Sequence, residues 1–192
     1  MRSTRKHSPF VREPKSSGGG TSTDEARFWH PAEGRRKEKP MPMIDTHPTK
    51  CNICGGPVIY VSNDRVYGRK YGSGYCYLCK NCGAYVGTHK PRPKEALGLL
   101  ADESMRKGKM MCHSLFDPIW EGKPKANKKR QDLYKWLSKQ MDIPVEYCHF
   151  GYFDIHQLRK AYKILLDIQG MTMLYDNCGN ILFKSEEGET DE

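Results

Sequence analysis

The sequence lacks any long hydrophobic run. Its 192 residues are 37% hydrophobic and 29% charged, and no stretch reaches the roughly 18 consecutive apolar residues of a membrane-spanning helix. No apolar segment follows the basic N-terminus, so the sequence predicts neither a secretory signal peptide nor a membrane anchor. Internal repeats are also absent. We therefore expect a cytoplasmic protein with no membrane partner.

Acidic residues are scarce in one part of the chain. The whole sequence carries 32 Lys and Arg against 23 Asp and Glu, a formal charge of +9. Residues 50–92 hold seven basic residues and one acidic residue, whereas residues 171–192 hold one basic and six acidic residues. A basic excess favours polyanionic partners because binding releases counterions, although it carries no sequence specificity.

The eight cysteines are unevenly placed, since five of them lie between positions 51 and 82. Four form two CxxC pairs, each followed by glycine: Cys51 and Cys54 before Gly55, and Cys79 and Cys82 before Gly83. In a reducing compartment this spacing indicates metal ligation rather than disulfides or a single redox dithiol. Four thiolates complete the tetrahedral shell of Zn²⁺ and leave no position for a catalytic water. The sequence predicts one structural Zn²⁺.

The choice of the second pair has an alternative. Cys76 stands three residues before Cys79, so Cys76 could replace Cys82 as a ligand. Gly83 favours Cys82, because glycine relieves crowding where the chain reverses. His89 is a possible substitute ligand that four cysteines make unnecessary. The isolated cysteines Cys112, Cys148 and Cys178 are expected to be small buried apolar residues.

The predicted fold class is α+β. A small β zinc ribbon precedes a three-helix region and a short C-terminal hairpin. The leader is rich in Arg, Lys, Ser, Gly and Pro, which predicts disorder, and Met41 or Met43 is an alternative translation start. The predicted segments are a disordered basic leader at 1–45, the zinc ribbon at 46–92, a helical domain with the terminal hairpin at 93–184, and an acidic tail at 185–192.

The local signals predict individual elements. A β-rich run at 58–61, a turn at Asn63 and a returning strand at 65–67 form one expected hairpin, and short strands are expected at 75–78 and 84–87. Asp102 predicts a helix to about Phe116 that Pro118 ends or kinks. After a basic linker at 123–130, further helices are expected at about 128–141 and, from a capping box of Asp154 with Gln157, up to Gly170. A final hairpin is expected around residues 176–180.

The zinc ribbon also carries six of the chain's 11 tyrosines. With four thiolates and one divalent ion, the ribbon's net charge falls from +6 to +4. Aromatic side chains among basic ones suit nucleic acid, because unpaired bases stack on the rings. The alternative is that the tyrosines pack the ribbon and the lysines keep it soluble. The residues predicted to contact DNA or RNA are Arg65, Arg69, Lys70, Tyr71, Lys80, Lys90 and Arg92.

A second polar site is suggested by His113 and Asp117, which lie four residues apart on one helix face. Together with His149 they could bind a catalytic metal, as in a metal-dependent nuclease, or act as an acid–base pair. The alternative is a structural role in which Asp117 orients His113. Because no carboxylate cluster or activated nucleophile accompanies them, we expect a non-enzymatic protein with no small-molecule substrate.

Several motifs together resemble a known family. They are CKNCGAYVGTHK from Cys79 to Lys90, Leu100-Ala101-Asp102, His113 with Phe116-Asp117 and Trp120, Tyr134-Lys135-Trp136-Leu137, and Cys148-His149-Phe150-Gly151. Their order resembles a phage- and prophage-associated zinc-finger-containing family of uncharacterised function, over about residues 51–166. The resemblance implies a bacterial or viral setting and no reaction. A protein-interaction adaptor acting on host or phage machinery is the alternative function, which exposure of Trp120 or Trp136 would favour.

Overall fold

The computed structural model describes residues 44–185. The predictions made for residues 1–43 and 186–192, including the start at Met41 or Met43, lie outside the described residues. The described chain is α+β, as expected: a three-stranded antiparallel sheet, then a helical region, then a separate strand pair. No described helix combines the length and apolar character needed to cross a membrane.

The three-stranded sheet forms the zinc ribbon. Its strands are β1 (Val58–Ser62), β2 (Tyr75–Cys79) and β3 (Tyr85–Gly87), and β2 lies in the middle. In its register Tyr60 lies opposite Tyr77, which in turn lies opposite Val86. Because side chains alternate along a strand, these three point to one face of the sheet and Tyr85 points to the other.

The expected returning strand at 65–67 is wrong. Asp64–Tyr67 forms a one-turn helix, α1, and β1 pairs with β2 instead. The main-chain carbonyl of Asn63 accepts hydrogen bonds from the amides of Val66 and Tyr67, at 3.1 and 3.0 Å. The buried Asn63 side chain also exchanges two hydrogen bonds with the backbone of Tyr71. Asn63 therefore closes the 63–71 loop, which local strand propensity does not reveal.

Three longer helices form the second region: α2 (Glu103–Trp120), α3 (Ala126–Met141) and α4 (Ile155–Asp167). Two 3₁₀ turns, Val145–Tyr147 and Phe150–Tyr152, connect α3 to α4. The centre of this region is apolar and fully buried, so it supplies a hydrophobic core separate from the metal ligands. Its largest buried side chains are Phe116, Leu133, Leu137, Phe150, Phe153, Leu158 and Leu165.

The helix boundaries show where the local signals act. Asp102 caps α2 by accepting a hydrogen bond from the Met105 amide, as expected. Pro118 does not end that helix but lies in its last turn, where its missing N–H deprives only the Ser114 carbonyl of an intrahelical donor. Helix α3 starts at Ala126, so part of the expected basic linker is helical. The capping box of Asp154 and Gln157 that opens α4 is confirmed.

The C-terminal hairpin is also confirmed. Strand β4 (Met171–Tyr175) pairs antiparallel with β5 (Ile181–Ser185). The hairpin packs on α3 through the ring of Phe183, whose centroid lies 4.8 Å from that of Trp136. Trp136 is consequently half-buried.

The ribbon and the helical region share a seam of backbone contacts. The Asn52 side chain in the first CxxC loop donates to the Leu100 carbonyl at 3.1 Å. The Leu99 amide donates to the Gly151 carbonyl at 3.0 Å, where a Cβ on Gly98 would lie only 2.2 Å from that oxygen. The seam therefore fixes the start of α2 against the metal ligands.

Candidate metal centre and its surroundings

Two loops of the same geometry present the four predicted ligands. In the first, the Gly55 amide donates to the Cys51 carbonyl at 2.9 Å, and in the second the Gly83 amide donates to the Cys79 carbonyl at 3.2 Å. Both glycines have positive φ, +72° and +71°, which glycine adopts without steric cost. Each CxxCG motif therefore folds into a tight turn that directs two sulfurs to one point.

The four sulfurs lie within 4.8 Å of one another. Cys51 Sγ is 3.7 Å from Cys82 Sγ, and Cys54 Sγ is 3.5 Å from Cys79 Sγ. A tetrahedral ion with Zn–S bonds of ~2.3 Å requires sulfur separations of ~3.8 Å. A disulfide would require about 2.05 Å, and the described cysteines are all free thiols. Cys51, Cys54, Cys79 and Cys82 fit one structural Zn²⁺.

Backbone amides donate hydrogen bonds to sulfurs in both loops. The Ile53 amide donates to Cys51 Sγ at 3.4 Å in the first loop. In the second loop, hydrogen bonds from the amides of Cys82 and Asn81 lower the pKa of Cys79 to about 6, against the opposing effect of burial. Since a metal binds the deprotonated sulfur, these amides favour binding at neutral pH.

The structure also decides between the alternative ligands. Cys76 lies inside β2, is fully buried, and is not part of the sulfur cluster. Burial raises the pKa of its thiol, as expected for a packed apolar cysteine. His89 does not belong to the cluster either. The ligand set predicted from the glycine positions is the one that the structure assembles.

Comparison with known families agrees with this geometry. A family model described as a zinc-finger-containing domain matches residues 47–168. The chain belongs to this family. The match starts just before the first CxxC loop and ends at the end of α4, so the family covers the ribbon together with the helical region. No significant match was found among curated proteins or among solved structures.

The ribbon tyrosines of this zinc-finger-containing protein form two groups on opposite faces of the sheet. On one face the rings of Tyr60 and Tyr75 stack at 5.0 Å, and Tyr77 is buried beside them. The hydroxyls of Tyr60 and Tyr77 donate to the carbonyls of Pro93 and Lys94, at 2.8 and 2.7 Å. This group holds the 88–96 loop against the sheet and has a structural role.

The other group is more open. Tyr67 contacts Tyr71 and Tyr85 edge-on, at centroid distances of 6.0 and 5.5 Å. The Arg106 guanidinium of α2 lies 4.3 Å from the Tyr85 ring centroid. Tyr67 is 44% and Tyr71 68% exposed, so both rings offer free surface. We refer to Tyr67, Tyr71, Tyr85 and Arg106 as the tyrosine–arginine face.

The seven residues predicted to contact nucleic acid are all exposed, and they lie on three separate segments of the ribbon. Arg65, Arg69, Lys70 and Tyr71 belong to α1 and the loop after it. Lys80 lies in the second CxxC loop, and Lys90 and Arg92 lie in the loop held by the opposite tyrosine group. Arg92 is also paired with Glu95 at 2.5 Å, which offsets its charge.

Sequence reasoning missed Arg106 as a neighbour of the tyrosines. Its contact with Tyr85 depends on how α2 follows the sheet. The bridge between Tyr85 and Ala101 brings the two together, with main-chain hydrogen bonds of 3.0 and 3.2 Å. The Arg106 guanidinium also donates to the Ala101 carbonyl at 2.8 Å. No local sequence signal predicts that pairing.

The second predicted site is only partly assembled. His113 Nδ1 lies 3.1 Å from Asp117 Oδ2, as the helical spacing indicated. His149 is engaged elsewhere: its Nδ1 accepts from the Gly151 amide, and its ring stacks on Tyr134 at 5.5 Å. Burial, followed by the charge of Arg130, lowers the pKa of His149 to about 4, so its imidazole is neutral at physiological pH.

Metal binding is not supported at this second site. Within residues 44–185, only the four-cysteine cluster brings three or more His, Cys, Asp or Glu side chains close enough to hold an ion. His113, Asp117 and His149 do not form such a group. The hypothesis of a metal-dependent nuclease built on these three residues therefore loses its structural basis.

Proposed function

We propose that this protein binds DNA or RNA through the tyrosine–arginine face of its zinc ribbon, without catalysing a reaction. The observation that carries the proposal is the pair of exposed rings at Tyr67 and Tyr71 beside cationic side chains. Arg65, Arg69 and Lys70 are exposed and belong to the same segment of the chain as these rings. Aromatic rings stack with bases, while the guanidinium and ammonium groups attract phosphates.

The zinc ion has a structural part in this proposal. The 63–71 loop has little core of its own, because no residue of α1 is buried. The Asn63 amide donates to the carbonyl of Gly74 at 3.0 Å, directly before strand β2, which ends at the ligand Cys79. Zinc therefore stabilises the sheet that carries the exposed rings. The four sulfurs fill its coordination shell, so the ion itself does not contact the nucleic acid.

The test is fluorescence anisotropy with the full zinc-loaded chain and labelled oligonucleotides. Tyr71→Ala should weaken binding by about 5- to 160-fold, since stacking on one base contributes ~1–3 kcal/mol. Tyr75→Ala is the matched control, because Tyr75 is 42% exposed but lies on the opposite face. Equal affinities for Tyr71→Ala and the wild type would refute the proposed surface.

The basic residues provide a second readout. Arg69→Gln and Lys70→Gln should each flatten the dependence of log Kd on log salt, because each removes one phosphate contact. Purification from the native host, with and without nuclease, checks the same proposal in cells. Nuclease-sensitive nucleic acid should accompany the protein, and a nuclease-resistant protein at fixed stoichiometry would contradict a nucleic-acid function.

The protein adaptor remains the second candidate. The two tryptophans expected to be exposed in that case are half-buried, Trp120 beneath Arg130 and Trp136 beneath Phe183. The feature that favours an adaptor is elsewhere: Leu174 and Leu182 pair on the outer face of the C-terminal hairpin and are 44% and 53% exposed. Leu182→Lys should abolish an adaptor interaction and leave oligonucleotide binding unchanged.

We also propose a phage or prophage origin, and with it the cytoplasm of a bacterial or infected host cell. The support is the order of motifs from Cys79 to Gly151, which lies inside the matched family region. The position of the gene among phage genes would test this origin.

A further inference from the structure

A row of basic side chains on α2 continues the tyrosine–arginine face. Arg106, Lys109 and His113 are spaced by three and four residues, so they lie along one side of the helix. Arg106 contacts Tyr85 at one end of the row. His113 lies about 10 Å further along the helix, since each residue adds about 1.5 Å. The row leads from the aromatic surface onto α2.

The row runs into an open groove of about 480 Å³. Lys109, Met110 and His113 line its near end, and Asp117 and Glu121 line its far end. Met110 is 72% exposed, so the groove has apolar surface as well as charge. At the far end Asp117 is paired with His113, and the two carboxylates would repel an anion there. The surface that suits an anion is therefore limited to the near end.

Lys109 is the unusual member of this row. Its ammonium donates to the carbonyls of Gly151 and Leu99, at 3.2 and 3.4 Å, and within residues 44–185 it forms no ion pair with a carboxylate. Burial, followed by the charge of Arg106, lowers its pKa to about 8. A partly buried cation without an anionic partner is stabilised when an anion binds beside it.

We propose that single-stranded nucleic acid passes from Tyr67 and Tyr71 onto α2, with phosphates against Arg106 and Lys109, and leaves the surface before Asp117. This inference rests on the proposed function and extends it to the strandedness and path of the ligand. Stacking on exposed rings requires unpaired bases, which a duplex keeps inside its own stack. The two basic side chains correspond to two phosphate contacts.

The experiment measures the salt dependence of binding for the full zinc-loaded chain. Labelled oligothymidylate, oligouridylate and a duplex of equal length are compared by anisotropy. Arg106→Gln and Lys109→Gln should each reduce the slope of log K against log salt by about 0.7, the value for one phosphate contact on a single strand. Lys163→Gln on α4 makes the same charge change at an exposed site away from the row and should leave the slope unchanged.

Two further variants distinguish the loss of a charge contact from an effect on folding. Lys109→Arg retains the charge and should retain the wild-type slope. Met110→Lys adds a charge at an exposed position in the groove and should increase the slope by about 0.7. Met110→Lys removes no buried contact, so it tests the path even if the substitutions of Arg106 and Lys109 disturb the seam.

The outcomes separate the two proposals. If Tyr71→Ala weakens binding while the variants at Arg106, Lys109 and Met110 leave the slope unchanged, the path along α2 is wrong and the proposed function stands. Tighter binding of the duplex than of either single strand would also overturn the inference. If no oligonucleotide binds the wild type, the proposed function fails and the inference fails with it.

Discussion

Alanine at Gly98 should destabilise the protein more than alanine at any open glycine with positive φ. Gly98 has φ +152°, and a Cβ there would lie 2.2 Å from the Gly151 carbonyl oxygen. The added atom must separate two backbone segments that pack directly on each other. That separation breaks the seam between the zinc ribbon and the helical region.

The magnitude follows from the contacts that are lost. Backbone strain at positive φ costs about 1–2 kcal/mol. The hydrogen bond from the Leu99 amide to the Gly151 carbonyl contributes about 1 kcal/mol, and that from Lys109, as a charged donor, about 1.5 kcal/mol. We expect a loss of about 4 kcal/mol, which corresponds to a fall in Tm of roughly 8–16 °C for a chain of this size.

Two other glycines separate the causes. Gly122 has φ +69°, and no atom lies within 4 Å of the position that a Cβ would take. Gly122→Ala therefore introduces backbone strain without a collision and should cost about 1 kcal/mol. Gly151→Ala places a Cβ 2.8 Å from the Leu97 carbonyl oxygen, so this substitution introduces a steric collision without the strain of a positive φ. Thermal unfolding is followed by circular dichroism in excess zinc. Equal Tm values for Gly98→Ala and Gly122→Ala would refute the close packing at the seam.

Three further predictions concern single side chains. Cys82→Ala should abolish stoichiometric zinc binding while Cys76→Ala retains it, as measured by metal analysis; zinc loss in the Cys76 variant would contradict the ligand set. The depressed pKa of His149 means that the unfolded chain binds a proton before the folded chain does, so stability should fall as the pH drops from about 6.5 to about 4. The partial exposure of His149 limits this loss to about 2 kcal/mol. The free energies of unfolding of the wild type and His149→Gln, measured by urea titration, should converge as the pH falls through this range. A constant difference between the two proteins would exclude the effect. Asp154→Ala removes the cap of α4 and should cost about 1 kcal/mol by urea unfolding, whereas no change would show that the capping box is energetically silent.

The features that sequence reasoning predicted correctly are those that a few neighbouring residues determine. A CxxC pair followed by glycine specifies its own turn, so the ligands Cys51, Cys54, Cys79 and Cys82 follow from spacing and chemistry. The capping box at Asp154 and the C-terminal hairpin are local in the same sense. The family match agrees with this part of the prediction.

The features that it missed depend on contacts between distant residues. Residues 65–67 have strand-like composition, but Asn63 closes the loop by bonding to Tyr71, eight positions away. The sequence suggests that the tyrosines form one basic aromatic patch, yet the sheet register places Tyr77 and Tyr85 on opposite faces. Arg106 meets Tyr85 only because Ala101 pairs with that strand. Register and pairing are tertiary properties that local propensity does not determine.

The central claim is that four thiolates hold one zinc ion and thereby organise the ribbon. Its most direct test is metal analysis of the purified full chain together with mapping of its thiols. We predict one zinc per chain, with Cys51, Cys54, Cys79 and Cys82 reduced and protected from alkylation until a chelator is added. Absence of stoichiometric zinc, or disulfides among these four cysteines, would contradict the account.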